Sequence, residues 1–247
     1  MKSQLGLSLT EVLVSLLLTS IIMTTLIQLY LSSKHQYVAT QALLEQQFDL
    51  IWVTDLLSDS IRRAGFTPCL GINQLKTLDT RNAVNILSAV KILNSPTQSL
   101  QINRMNEVFS TVINIEGLTK IRVGKTVAFK EQRPVLIADC DHAEVHQILT
   151  IDKLKQGYLL HLTKPLMFSY PGTTYVGEWL EEKWFIKKNA KGESSLYYHL
   201  AQTEELTTFI HSLTIKLQKI SKKQLVEVVM GLEDENTQKL IVAVRGA

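Results

Sequence analysis

Glu11 is the only charged residue between Leu5 and Ser33, and it stands near the head of an apolar run, Leu5-Gly6-Leu7-Ser8-Leu9-Thr10-Glu11-Val12-Leu13-Val14. A carboxylate near a bilayer centre costs roughly 2.5 to 3.5 kcal/mol on insertion scales, and less at the interface, so the chemistry it invites is pairing with a cation. The chain has two cysteines, Cys69 and Cys140, without the CxxC spacing of zinc or redox sites, so whether they bond depends on the compartment. Cys140, His142, Glu144 and His146 alternate, which on an uninterrupted strand puts all four on one side. Same-side neighbours on one strand lie about 7 Å apart, too far for several to converge on one ion, so a polar strand face is expected and no metal site. Val123-Gly124-Lys125-Thr126 has the ending of a phosphate-binding loop. The earlier glycine that loop needs is replaced by Thr119, so the stretch is expected to be a hairpin turn. Lys216, Lys219, Lys222 and Lys223 are expected to decorate a solvated turn. No H-E-x-x-H, nucleophile elbow or G-x-G-x-x-G occurs, so no catalytic residue, cofactor or enzymatic activity is expected.

These groups must be positioned by elements. The 247 residues are 45% apolar and 20% charged, enough to bury a core, and a net charge of +3 is too mild to demand nucleic acid as a partner. From Val12 to Ser33 there is no charge, and as a helix that stretch spans roughly 33 Å, matching a hydrocarbon core of about 30 Å. A secretory signal has a shorter apolar stretch with a small-residue cleavage site beyond it. Here the small residue, Gly6, precedes the apolar run, so the run is expected to be retained as a membrane anchor.

A short basic leader, Gly6, then Leu7-Ser8-Leu9-Thr10-Glu11 and an unbroken apolar helix resemble the class III leader of type IV pilins and their relatives. The resemblance implies cleavage between Gly6 and Leu7 by a prepilin peptidase and N-methylation of Leu7. Glu11 then becomes the fifth mature residue, and it pairs with the new amine of a neighbouring subunit. At about 4 Å and an effective dielectric near 20, that attraction is about 4 kcal/mol, comparable with the insertion cost. Relatives most often carry phenylalanine where this chain has Leu7. Many also have a helix-bending proline where it has Gln28, so a straighter stem is expected.

Neither proline nor glycine occurs from Leu7 to Ala64, so one long helix is expected, closed by Gly65. Leu44, Phe48 and Ile51 form one apolar row, and Leu50, Val53, Leu57 and Ile61 a second, which predicts packing on more than one side. Beyond Gly65, Ala83 to Leu93 is ambiguous between helix and strand. Strands are then expected at 99–104, 108–115, 135–140, 145–151, 158–162, 179–186, 195–199, 213–217, 225–230 and 240–244, with a short helix possible at 204–210. The expected fold class is α+β, type IV pilin-like. Its parts would be a leader (1–6), a transmembrane or filament-core half of the stem (7–33), a head-packed half (34–64) and an antiparallel β head (65–247).

Ile61 to Cys69, IRRAGFTPC, and Leu136 to Ile148, LIADCDHAEVHQI, resemble segments of PilW-type minor pilins. That resemblance implies a non-enzymatic subunit that primes type IV pilus assembly, in motility, adhesion or DNA uptake. Its implied partners are other minor pilins, the major pilin, prepilin peptidase and the inner-membrane assembly machinery. It implies a single-pass inner-membrane protein with a periplasmic head, later at the pilus tip. In that oxidising space a Cys69–Cys140 disulfide is expected, the alternative being two buried thiols. Trp179 and Phe185 share one strand face and Trp184 takes the other, so at least one aromatic is expected at an interface with the stem or another subunit. The rival readings are a type II secretion pseudopilin of the J kind and a signal-anchored periplasmic binding or enzymatic domain.

Overall fold

The computed structural model describes residues 9–81, 85–94, 97–220, 223–232 and 236–245. Gly6 and Leu7, where cleavage is expected, lie outside them. The fold is α+β, one long helix followed by mostly antiparallel strands. The chain divides into two compact units, Met1–Ile51 and Trp52–Ala247.

Helix α1 (Leu9–Arg62) runs 54 residues without a break, as a stretch free of glycine and proline allows. It stops where Gly65 takes φ +71°, a left-handed conformation that glycine adopts without strain. A Cβ there would lie 2.7 Å from the Ala89 Cβ, so size as well as backbone angle reserves the corner for glycine. The freed chain is caught at once: Gly65 N–H donates to the Asn103 carbonyl (2.8 Å), and the Phe66 carbonyl accepts from Met105 N–H (3.0 Å).

Six strands close into a ring. They are β3 (Gln98–Glu116), β4 (Lys120–Val123), β5 (Pro134–Ala138), β6 (His142–Leu154), β7 (Gly157–Leu162) and β8 (Tyr175–Lys188). Antiparallel pairing runs β3–β8–β5–β6–β7–β4 and back to β3. Closure removes the free edges that invite misassociation. Alternate residues point inward, and Ile121, Val123, Val135, Ile137, Ile148, Leu160, Leu162 and Val176 fill the ring. Each such side chain contributes about 1.5 to 3 kcal/mol relative to exposure. Gly157 makes the β7–β4 seam possible: a Cβ on it would sit 2.0 Å from the Val123 carbonyl oxygen.

The far halves of β3 and β8 leave the ring and extend the same ten-stranded sheet. There β2 (Val90–Asn94) pairs with β3, β9 (Ser194–His199) with β8, and β10 (Thr203–Thr207) with β9. A short strand, β1 (Lys76–Asp79), lies parallel to the start of β6. A separate three-stranded sheet, β11 (Ile210–Ile220), β12 (Lys223–Leu232) and β13 (Thr237–Ala243), buries Ile215, Val226, Val228 and Val242.

Several expectations need correction. Residues 204–210 do not form a helix. Glu204 and Glu205 pair with Tyr198 and Tyr197 across β10 and β9, and these tertiary ladder bonds outweigh local propensity. The strands expected at 99–104 and 108–115 are one strand, β3, with an irregularity between Met105 and Phe109. In the ambiguous stretch, Val90 onward is strand. Val123-Gly124-Lys125-Thr126 ends β4 in a turn, but it is no hairpin, because β4 pairs with β3 and β7 rather than with the next strand. Lys216 and Lys219 are exposed on β11 rather than in a turn, whereas Lys222 and the Lys223 side chain lie outside the description. Trp179 and Trp184 are both buried in the second unit, which leaves the expected aromatic interface with the stem or another subunit an expectation.

Candidate functional site

In the first unit, the most apolar eighteen-residue window of α1 has mean hydropathy 2.2 and none of it is buried, so the helix is long and apolar enough to cross a membrane. Four of its hydroxyls bond back to the helix. Ser15 donates to the Val12 carbonyl (2.9 Å), Thr19 to Ser15 (2.7 Å), Thr24 to Ser20 (2.7 Å) and Thr25 to Ile22 (2.8 Å). Polar side chains that bond back to their own helix suit a medium without hydrogen-bonding solvent. Glu11 lies in the first turn, exposed, at the positive end of the helix dipole.

The two apolar rows of α1 fare differently. Val53, Leu57 and Ile61 are buried in the second unit, whereas Leu44, Phe48 and Ile51 are 50%, 69% and 58% exposed. Leu50, in the second row as well, is half-buried.

The segment IRRAGFTPC forms the corner after α1. Arg63 forms an ion pair with Asp59 one turn back, and its other amino nitrogen lies 3.6 Å from Glu107. The Thr67 hydroxyl donates to the Leu70 carbonyl. Cys69 is bonded to Cys140, with Cα atoms 5.3 Å apart across a sequence separation of 71. Cys140 occupies the tight turn between β5 and β6. There a buried Asp139 carboxylate accepts the N–H groups of Asp141 (2.8 Å) and His142 (2.6 Å). An Asx turn of this kind holds its backbone with its own side chain. Lys76 N–H adds a bond to the Asp141 carbonyl (2.9 Å), so β1 begins beside the same turn.

Glu144 and His146, expected on a polar strand face, are fully buried. Glu144 is paired across the ladder with Ile137 and His146 with Val135, and both of those point into the ring, so ring closure turns this face inward. The Glu144 carboxylate accepts His146 Nε2 (2.8 Å), Met167 N–H (2.9 Å), Phe168 N–H (3.4 Å) and Tyr170 O–H (2.8 Å). Thr80 O–H donates to the Val145 carbonyl (2.7 Å), so its oxygen is an acceptor toward His146 Nδ1 (3.1 Å). Both ring nitrogens of His146 thus face acceptors. Burial pushes the Glu144 carboxyl up, but the hydrogen bonds from His146, Met167 and Tyr170 outweigh it and hold the carboxyl below its ordinary range. Burial and the Glu144 charge raise the Tyr170 phenol.

The order Thr80–His146–Glu144 has the form of a nucleophile relay, yet the hydroxyl is buried and its proton is committed to a carbonyl. What the carboxylate does is fasten the segment 163–174 across the ring, where Leu166 enters the apolar filling. Among the described residues no three His, Cys, Asp or Glu side chains meet as a metal set. Alternation along β6 flagged Glu144 and His146 as a pair, but nothing in the sequence marked Thr80 or Tyr170 as their partners. No protein-family model, curated protein or solved structure matches this chain.

Proposed function

We propose that this chain is a PilW-type minor pilin, a non-enzymatic subunit that helps to prime type IV pilus assembly with other minor pilins and the major pilin. The observation that carries the reading is the leader pattern, Gly6, Leu7 and Glu11, together with a helix from Leu9 whose apolar surface the chain leaves uncovered. Such a helix needs lipid before assembly and other helices afterwards. The Cys69–Cys140 bond fits a head in the oxidising periplasm, since disulfides persist in such compartments. Both cysteines fall in the two segments that resemble PilW-type chains.

In this reading, prepilin peptidase cuts after Gly6, Leu7 is methylated, and its amine pairs with Glu11 of a neighbour. The N-terminal mass tests it in cells with and without the peptidase, alongside a Glu11→Ala variant. A chain that begins at methylated Leu7 only when peptidase is present, with Glu11→Ala processed but absent from sheared filaments, is the expected result. Retention of residues 1–6 in both strains overturns it and leaves a signal-anchored domain. Loss of exoprotein secretion rather than of pili on deletion assigns the chain to the type II secretion pseudopilins, which share leader, stem and β head.

A further inference from the structure

Strand β8 has one edge paired along most of its length and the other interrupted. Along one side it pairs with β3 from Tyr175 to Phe185. Along the other, β5 ends its pairing at Glu178 and β9 begins at Lys183. The direction of the backbone groups between those points follows from β3. Asn103 N–H and Met105 N–H bond to the Ala89 and Phe66 carbonyls, away from β8, so the groups of Arg104 face β8. Arg104 is paired with Leu180, which turns Leu180 and Glu182 toward β3 and leaves Trp179 and Glu181 facing the interruption. Pro134, next in line opposite Trp179, has no N–H for its carbonyl. No described backbone or side-chain group bonds the N–H or carbonyl of Glu181 on that side.

The interruption opens into a cleft of about 620 Å³ lined by Lys130, Arg133, Glu178, Lys183 and His199 among others. This is within the range of ligand sites. Its charges do not cancel. Arg63 is held by Asp59 and Glu107, Arg104 by Glu182, and Glu181 by Arg81 at 2.5 Å. Among the described residues Lys130, Arg133 and Lys183 have no carboxylate partner, and of the lining carboxylates only Glu178 lacks a cation. The Glu181 side chain also accepts Trp179 Nε1–H at 2.9 Å, so that carboxylate is turned to its own neighbours while the backbone beside it stays open.

We propose that this cleft takes an extended, acidic segment of a partner polypeptide, which adds backbone hydrogen bonds to the open edge of β8 at Trp179–Glu181 and sets carboxylates against Lys130, Arg133 and Lys183. From Glu178 to Lys183 the edge runs about 16 Å, room for roughly five extended residues. A strand segment supplies both donors and acceptors to the edge. A bare anion satisfies the cations but not the Glu181 carbonyl, which is why the geometry favours a peptide. The inference is independent of the filament reading, because it concerns a site complete within the second unit.

The test uses the full chain, isotope-labelled in detergent micelles, titrated with the capped peptide Thr-Glu-Val-Glu-Thr. The Glu181 amide resonance is expected to shift saturably. The lysine counterpart, Thr-Lys-Val-Lys-Thr, is expected to leave it unmoved. A peptide N-methylated at alternate amides is expected to bind about tenfold more weakly, because two edge hydrogen bonds are lost. The K130Q/R133Q/K183Q variant, with its melting midpoint checked against the parent, is expected to bind about tenfold more weakly as well. Absence of a saturable shift overturns the proposal, as does equal binding of the lysine or N-methylated peptide. Inorganic phosphate that reproduces the Glu181 shift reduces the cleft to an anion site and overturns it too.

Discussion

Up to Ile51, α1 buries none of its most apolar window, yet within the next eleven residues Val53, Leu57 and Ile61 are at most 1% exposed. One helix therefore contains two stretches of similar side chains held for different reasons. Helical propensity and internal hydrogen bonds keep the first stretch helical, but its apolar surface gains nothing from the chain itself. The second stretch is held by burial. A carboxylate sits in each region as well. Glu144, deep in the ring, collects four donors from its own chain, whereas Glu11 lies exposed in the first turn of α1.

The contrast can be broken most forcefully at Glu144. Glu144→Ala strands Tyr170 O–H, two backbone N–H groups and the His146 ring, and is expected to lower head stability by about 3 to 5 kcal/mol in urea melts followed by tryptophan fluorescence. Glu11→Ala is expected to leave the same melt unchanged. Replacing both cysteines with serine is expected to lower stability by about 2 to 4 kcal/mol in the same measurement. Reductant added to the parent protein should reproduce the loss, since both cysteines are in exposed loops. Leu57→Ala is expected to lower stability by about 3 kcal/mol through the cavity it leaves, against a change within about 0.5 kcal/mol for Phe48→Ala in detergent. An equal effect of the two would dissolve the distinction between the halves of α1.

The smallest effect is the pH dependence. The Glu144 carboxyl is held below its ordinary value in the folded chain, so its contribution is fully present above about pH 4.5 and is lost as pH falls through the lowered folded value. Melting midpoints of the parent should therefore fall on acidification below about pH 4.5, and Glu144→Gln should flatten that slope.

Much of this organisation is legible in the residues themselves. The run without glycine or proline announces α1, Gly65 marks its end, and short alternating runs locate most of the strands. What the residues do not announce is which strands meet. Period-2 alternation at Glu144 and His146 reads as a surface face, and only closure of β3 through β8, β5, β6, β7 and β4 reveals it as an interior. The same limit explains 204–210, where Leu206, Phe209 and Ile210 imitate a helical stripe while pairing of β10 with β9 and of Ile210 with β12 decides the outcome. Short strands such as β1 and β4 carry too few residues for a periodic signal. The break on the outer edge of β8 is a property of two neighbours ending, which no local pattern encodes.

The corner after α1 is also where a pull on the helix would enter the strands. A pull on Arg62 reaches the sheet through the peptide chain at Gly65 and Phe66, through the bond from Arg245 N–H to the Arg62 carbonyl, and through the two sulfur atoms that join Cys69 to the β5–β6 turn. The sulfur route is covalent and ends on a hairpin of the closed ring. A pull on the helix is therefore shared between β1 and the β5–β6 turn instead of falling on β1 alone, and a reduced molecule should extend at lower force than an oxidised one.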